Sequence, residues 1–143
     1  MSKIALAADH AGYEFKDALA SYLREKGYDV IDLGTNSSDS VDYPVYAKKL
    51  CSSILSGECE KGILVCGTGI GMSIAANRHK GIRAALCTIP EYARLAREHN
   101  NANVLCLGAR FVGFDEAVKI TDVFLNTEFL GGRHQNRVNQ LDT

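Results

Sequence analysis

The chain has 143 residues, of which 46% are hydrophobic and 23% charged, as expected for a folded protein with one core. Its formal net charge of -1 gives no electrostatic basis for binding nucleic acid or an anionic membrane, so any anion it takes must be met by a few well-placed cations. Five cysteines (Cys51, Cys59, Cys66, Cys87 and Cys106) are an odd number without a C-x-x-C pair, which argues against a disulfide frame or a zinc site and for reduced thiols in the cytoplasm.

The first residues, MSKIALAADH, reach Asp9 and His10 too soon for a signal peptide or a spanning helix, so neither export nor a membrane is expected. The apolar run KIALAA (3–8) predicts a buried strand, and Phe15, Leu19, Tyr22 and Leu23 then share one helical face that ends at Gly27. YDVIDLG (28–34) predicts the second strand, and TNSSDS after it reads as loop. Pro44 opens a helix carrying Tyr46, Ala47, Leu50, Cys51, Ile54 and Leu55 at helical spacing, closed by Gly57. KGILVCG (61–67) predicts the third strand, followed by a helix from about Ile70 to His79. GIRAALC (81–87) predicts the fourth strand and Pro90 opens a helix through Glu98. ANVLCLG (102–108) predicts the fifth strand, and Phe114, Ala117, Val118, Thr121, Phe124 and Leu125 mark a last amphipathic helix before a polar tail.

Five mostly apolar strands, each followed by a helix, imply a parallel sheet covered on both faces. Right-handed crossovers then lead to a doubly wound, Rossmann-like, three-layer α/β/α sandwich, here a single domain over 1–143. Ligands in such folds lie beyond the carboxyl ends of the strands. The residues predicted there are Asp9 and His10, the loop after Asp32, Cys66 to Gly71, Cys87 with Thr88, and Arg110.

Gly67, Gly69 and Gly71 clear side chains from a strand-to-helix joint, where backbone N–H groups and the helix dipole can converge on an anion. A tight turn with no ligand is the plain alternative. A dinucleotide fingerprint fails because the third glycine would fall on Met72, and a Walker loop fails for want of a Lys-Ser/Thr pair. A cysteine phosphatase needs an arginine closing the loop about six residues after Cys66, where Met72 stands instead. Proton abstraction beside a carbonyl remains: a thiolate as base, with adjacent amides receiving the charge that builds on oxygen. Burial as a small hydrophobe is the ordinary fate of a cysteine and suits Cys51 or Cys106, but Cys66 sits at a strand end.

Other polar residues are ambiguous from spacing. His99 and Asn100 fit the C-terminal capping of a helix. Arg133 and Arg137, four apart, share a face if the tail is helical and could clamp a phosphate, with Arg110 as a third cation. Asp42-Tyr43-Pro44 reads first as a helix start, and a pocket role is the lesser reading.

The motifs ADHAG (8–12), DYP (42–44), CGTGIGMSIAAN (66–77), GIRAA (81–85), EHNNANVL (98–105), LGAR (107–110) and GGRHQNRV (131–138) resemble the B-type ribose-5-phosphate isomerases, a group that includes galactose-6-phosphate isomerase subunits. The resemblance runs in order along almost the whole chain. It implies a cofactor-free aldose–ketose isomerase acting on a sugar phosphate, ribose 5-phosphate to ribulose 5-phosphate. Cys66 would be the base and the amides of Gly67, Thr68, Gly69, Ile70 and Gly71 the anion hole. Thr68 and His99 would assist ring opening, Asp9 and Asn100 would bind sugar oxygens, and His10, Arg110, Arg133 and Arg137 would surround the phosphate. One branch of the family uses a glutamate just beyond the last loop glycine; Met72 there and Cys66 at the strand end match the cysteine branch. The resemblance also implies a homo-oligomer, dimer or tetramer, whose active sites are shared between subunits, with the tail reaching a partner. Isomerases of 6-phosphohexoses and a non-catalytic phosphometabolite-binding regulator are the alternatives.

Overall fold

A computed structural model describes residues 3–143. The strands are β1 (Lys3–Ala8), β2 (Asp29–Asp32), β3 (Lys61–Cys66), β4 (Ala84–Leu86) and β5 (Val104–Gly108). The helices are α1 (Tyr13–Glu25), α2 (Tyr43–Leu55), α3 (Ile70–Asn77), α4 (Pro90–Asn100), α5 (Phe114–Asn126) and α6 (Arg133–Asn139). All strand pairs are parallel, in the order β2-β1-β3-β5-β4. The sheet is therefore the expected one, buried on both faces.

Alternation along the strands sends successive side chains to two cores. Ile4, Leu6, Ile63, Val65, Leu105 and Leu107 meet α1, α4 and α5 on one side, where Leu19, Leu23, Ile120 and Phe124 close the layer. Ala5, Ala7, Leu64 and Cys106 face α2 and α3 on the other, against Leu50, Cys51, Met72 and Ala76. In α1 the buried positions are Lys16, Leu19, Ala20 and Leu23, a single stripe at helical spacing. Lys16 is the exception within that stripe. Its fully buried ammonium is held by both oxygens of Asp32 at 2.7 and 2.8 Å and by Asp17 at 2.9 Å, which ties α1 to the end of β2.

The fourth strand is shorter than GIRAALC suggested, only three residues, because β4 lies at the sheet edge and pairs with β5 alone. The Asn77 side chain covers that edge, donating to the Ala84 carbonyl at 2.9 Å and accepting from its N–H at 2.8 Å. That contact also helps to end α3 at Asn77 rather than His79.

Since β1 connects outward to β2 and then back across to β3, the chain reverses direction between β1 and β3. A crevice opens at that switch point, outside the carboxyl ends of the strands.

Candidate active site

The crevice has a volume of about 240 Å³ and is lined from four segments. Asp9, His10 and Ala11 come from the end of β1, and Cys66, Gly67, Thr68 and Gly71 from the loop between β3 and α3. Tyr43 enters from the start of α2 and Arg110 from beyond β5. Backbone amides hold Asp9 and His10 in place. Asp9 Oδ1 accepts from the amides of Ala11 and Gly12 at 3.0 and 3.1 Å, so the carboxylate caps the turn into α1. His10 Nδ1 accepts from the Val41 amide at 3.1 Å. The Arg110 guanidinium lies over Gly67, with Nη1 3.2 Å from where a Cβ would stand, and the Arg110 amide donates to the Gly67 carbonyl at 3.0 Å. The Tyr43 ring passes 2.9 Å from where a Cβ on Gly71 would be.

Cys66 is 5% exposed, and its Sγ accepts a hydrogen bond from the Gly69 amide at 3.2 Å. Gly69 turns the chain back toward the sulfur with φ of +79°, a conformation that glycine reaches without strain. The Ile70 amide donates to Thr68 Oγ1 at 3.1 Å, while the Ile70 side chain points to solvent. Two of the five predicted anion-hole amides are thus already engaged within the loop. The other cysteines are different in kind: burial pushes Cys51 and Cys87 up to about 11 and Cys106 well above its ordinary value, and Cys59 is raised as well. These four are thiols at neutral pH, and none of them lines the crevice.

The remaining predicted residues gather elsewhere. His99 and Asn100 belong to the last turn of α4, and Asn101, not Asn100, makes the left-handed cap with φ of 47°. The helix has 11 residues and spans about 16 Å. Its C-terminus reaches the amino end of β4, where Arg83 Nε donates to the Asn101 carbonyl at 2.8 Å. His99 and Asn100 therefore sit beyond the amino ends of the strands, opposite to the carboxyl end of β3 that carries Cys66. The tail does form a helix, α6, which docks on α4 with its Arg133 and Arg137. His134 stacks on His99 with ring centroids 4.3 Å apart and planes 13° from parallel. His99, Asn100, His134 and Arg137 line a second groove of about 240 Å³. Partial desolvation, and after it the positive charge of His99, Arg133 and Arg137, lowers the His134 pKa from the ordinary imidazole value. The predicted residues thus fall into two separate groups on one chain.

The sequence pattern of the family described as Ribose/Galactose Isomerase matches residues 4–141. The chain belongs to this isomerase family. Ribose-5-phosphate isomerase B of Escherichia coli (strain K12) is 49% identical over 138 residues, covering 96% of this chain and 93% of that protein. The crystal structure of a ribose 5-phosphate isomerase from Thermotoga maritima superposes with a TM-score of 0.97 at 58% identity, covering 99% of this chain and 97% of the other. A Mycoplasma genitalium ribose-5-phosphate isomerase B with bound ribulose-5-phosphate gives 0.92 at 43% identity, over 97% and 93% of the two chains.

In this member of the ribose/galactose isomerase family, Tyr43 in the crevice and His134 in the second groove carry more than their sequence pattern indicates. Tyr43 serves both readings of its motif, standing in the first turn of α2 and in the crevice wall. Asp42 takes the N-cap position but makes no side-chain cap bond. His134 gave no separate signal, since its partner His99 is far away in sequence. Among the described residues, no three His, Cys, Asp or Glu side chains are grouped as a metal site requires, and no helix is long and apolar enough to cross a membrane.

Proposed function

We propose that this chain is a single-domain, cofactor-free isomerase that interconverts D-ribose 5-phosphate and D-ribulose 5-phosphate in the cytoplasm. The observation that carries this reading is Cys66: alone among the five cysteines it borders the crevice, beside an amide aimed at its sulfur and a cation, Arg110, beyond the next strand. With the sugar open, the Cys66 thiolate removes the proton from C2 of the aldose, and the electron pair moves to the carbonyl oxygen at C1. The enediolate oxygen is met by loop amides, of which those of Gly69 and Ile70 exchange their present partners for it. Transfer of the C2 hydroxyl proton to the C1 oxygen, with return of the proton from sulfur to C1, then yields the ketose. Asp9, with one oxygen fixed by backbone amides, orients sugar oxygens through the other.

Ring opening precedes this step and requires a proton at the ring oxygen, the role we give to His99 with Thr68. Because His99, Asn100, Arg133 and Arg137 lie away from Cys66, toward the opposite end of the strands, a second copy of the chain supplies them, and the enzyme is a homo-oligomer with shared sites. Arg133 and Arg137 of one copy close on the phosphate beside His10 and Arg110 of the other.

A coupled assay over ribose 5-phosphate, allose 6-phosphate and galactose 6-phosphate tests the substrate. Ribose 5-phosphate should be turned over best, and Cys66→Ala should abolish turnover while phosphosugar binding persists. Full activity in that variant removes Cys66 as the base; a preference for a hexose phosphate moves the enzyme to the other half of its family.

A further inference from the structure

His10 stands in the turn just after β1, partly buried, and its bond to Val41 has a chemical consequence. Nδ1 accepts a hydrogen bond from the Val41 N–H, so it must keep its lone pair. A neutral imidazole carries a single ring proton, and with Nδ1 bare that proton is on Nε2. Val41 immediately precedes Asp42 and Tyr43, where α2 begins, so the same bond fastens the long β2–α2 loop to the crevice wall.

The Val41 bond fits only a ring whose Nδ1 carries no proton. The titratable and charged groups about it are Asp9 on its own strand end, Cys66 from the β3 loop, Tyr43 with Asp42 at the start of α2, and Arg110 from beyond β5. Asp9 turns one oxygen away to the amides of Ala11 and Gly12, and Arg110 is permanently positive. A second proton on His10 would set an N–H against the Val41 N–H and leave that amide without its acceptor.

We propose that His10 meets the substrate phosphate as a neutral imidazole donating from Nε2–H, with its tautomer and aim set by the Val41 amide. Neutralisation of the phosphate charge then falls to the arginines. This rests on the isomerase reading for the identity of the anion, whereas the tautomer rests on the Val41 bond alone.

Long-range 15N–1H NMR of ring-labelled full-length protein at pH 7.5 reads the tautomer directly. The expected spectrum shows His10 with a protonated Nε2 and a bare Nδ1; a protonated Nδ1, or an imidazolium, overturns the proposal. Val41→Pro deletes the donor, and should give a mixture of tautomers and a KM for ribose 5-phosphate raised about tenfold with kcat little changed. His10→Asn keeps an acceptor where Nδ1 stood but lacks the Nε2 donor, and should raise KM comparably while the β2–α2 loop stays ordered. Unchanged KM in His10→Asn overturns the proposal even if Val41→Pro does not fold. Should the wild-type protein show no isomerase activity, the functional reading fails while the NMR result still decides the tautomer.

Discussion

The Gly69 N–H points at Cys66 Sγ from 3.2 Å, so the residue that bends the loop also supplies a donor to the sulfur. Ordinary thiols pack against apolar atoms, as Cys106 does here between sheet and helices. At Cys66 a negative sulfur would find a partner already in place at the start of α3.

Cys66→Ser keeps a hydrogen-bond acceptor at the same place while replacing sulfur by a much weaker acid. Its kcat for ribose 5-phosphate should fall about 10²- to 10⁴-fold, the range for loss of a general base, with KM nearly unchanged. Steady-state kinetics in a coupled assay measure both, and a variant within a few-fold of wild type removes proton transfer from Cys66.

Placement of His99 and Cys66 at opposite ends of the strands leads to a complementation test. Cys66→Ala and His99→Asn should each be inactive. Mixed equally under conditions that exchange the subunits of a dimer, they should recover about a quarter of wild-type sites, because half of the dimers are mixed and each has one intact site. No recovery, with subunit exchange verified by mass spectrometry, would place both residues in one chain's site. Arg137→Ala should raise KM about 10- to 100-fold on the loss of a charged hydrogen bond to phosphate.

The Lys16–Asp32 pair has unequal partners: the lysine side chain is 0% exposed and the aspartate 22%. Removing the aspartate charge leaves an ammonium in the core with only Asp17, whereas removing the lysine leaves a carboxylate that water still reaches. Asp32→Asn should therefore lose about 3 kcal/mol in urea unfolding, and Lys16→Met clearly less. The reverse order would mean that the buried charge is not the dominant cost.

Alkaline pH should weaken the fold through buried thiols. Cys51 and Cys87 have folded pKa values of about 11 against 9.0 for a free thiol. Between those values the unfolded chain has released these protons and the folded chain retains them, so stability is full below about pH 9 and falls as pH rises toward 11. The slope should be about 1.4 kcal/mol per pH unit for each thiol. Denaturant unfolding from pH 8 to 11 measures it, and a Cys51→Ala, Cys87→Ala double variant with the same slope as wild type would assign the loss to other groups.

The alternation of strands and helices was legible in the chain because burial on two faces leaves continuous apolar runs such as ILVC, while one-faced helices repeat every three to four residues. The thiol at a strand end and the glycines after it were legible for the same local reason. Strand order was not: β5 inserts between β3 and β4, and only the three-dimensional crossovers decide that. That order makes β4 a short edge strand and opens the crevice between β1 and β3, where Asp9 meets Cys66 and Tyr43 swings in from α2. His99 and Asn100 lie away from Cys66 because a crossover helix must run back to the start of the next strand. Local periodicity reports which side of each element is buried, but neighbours distant in sequence are chosen by packing across the whole sheet.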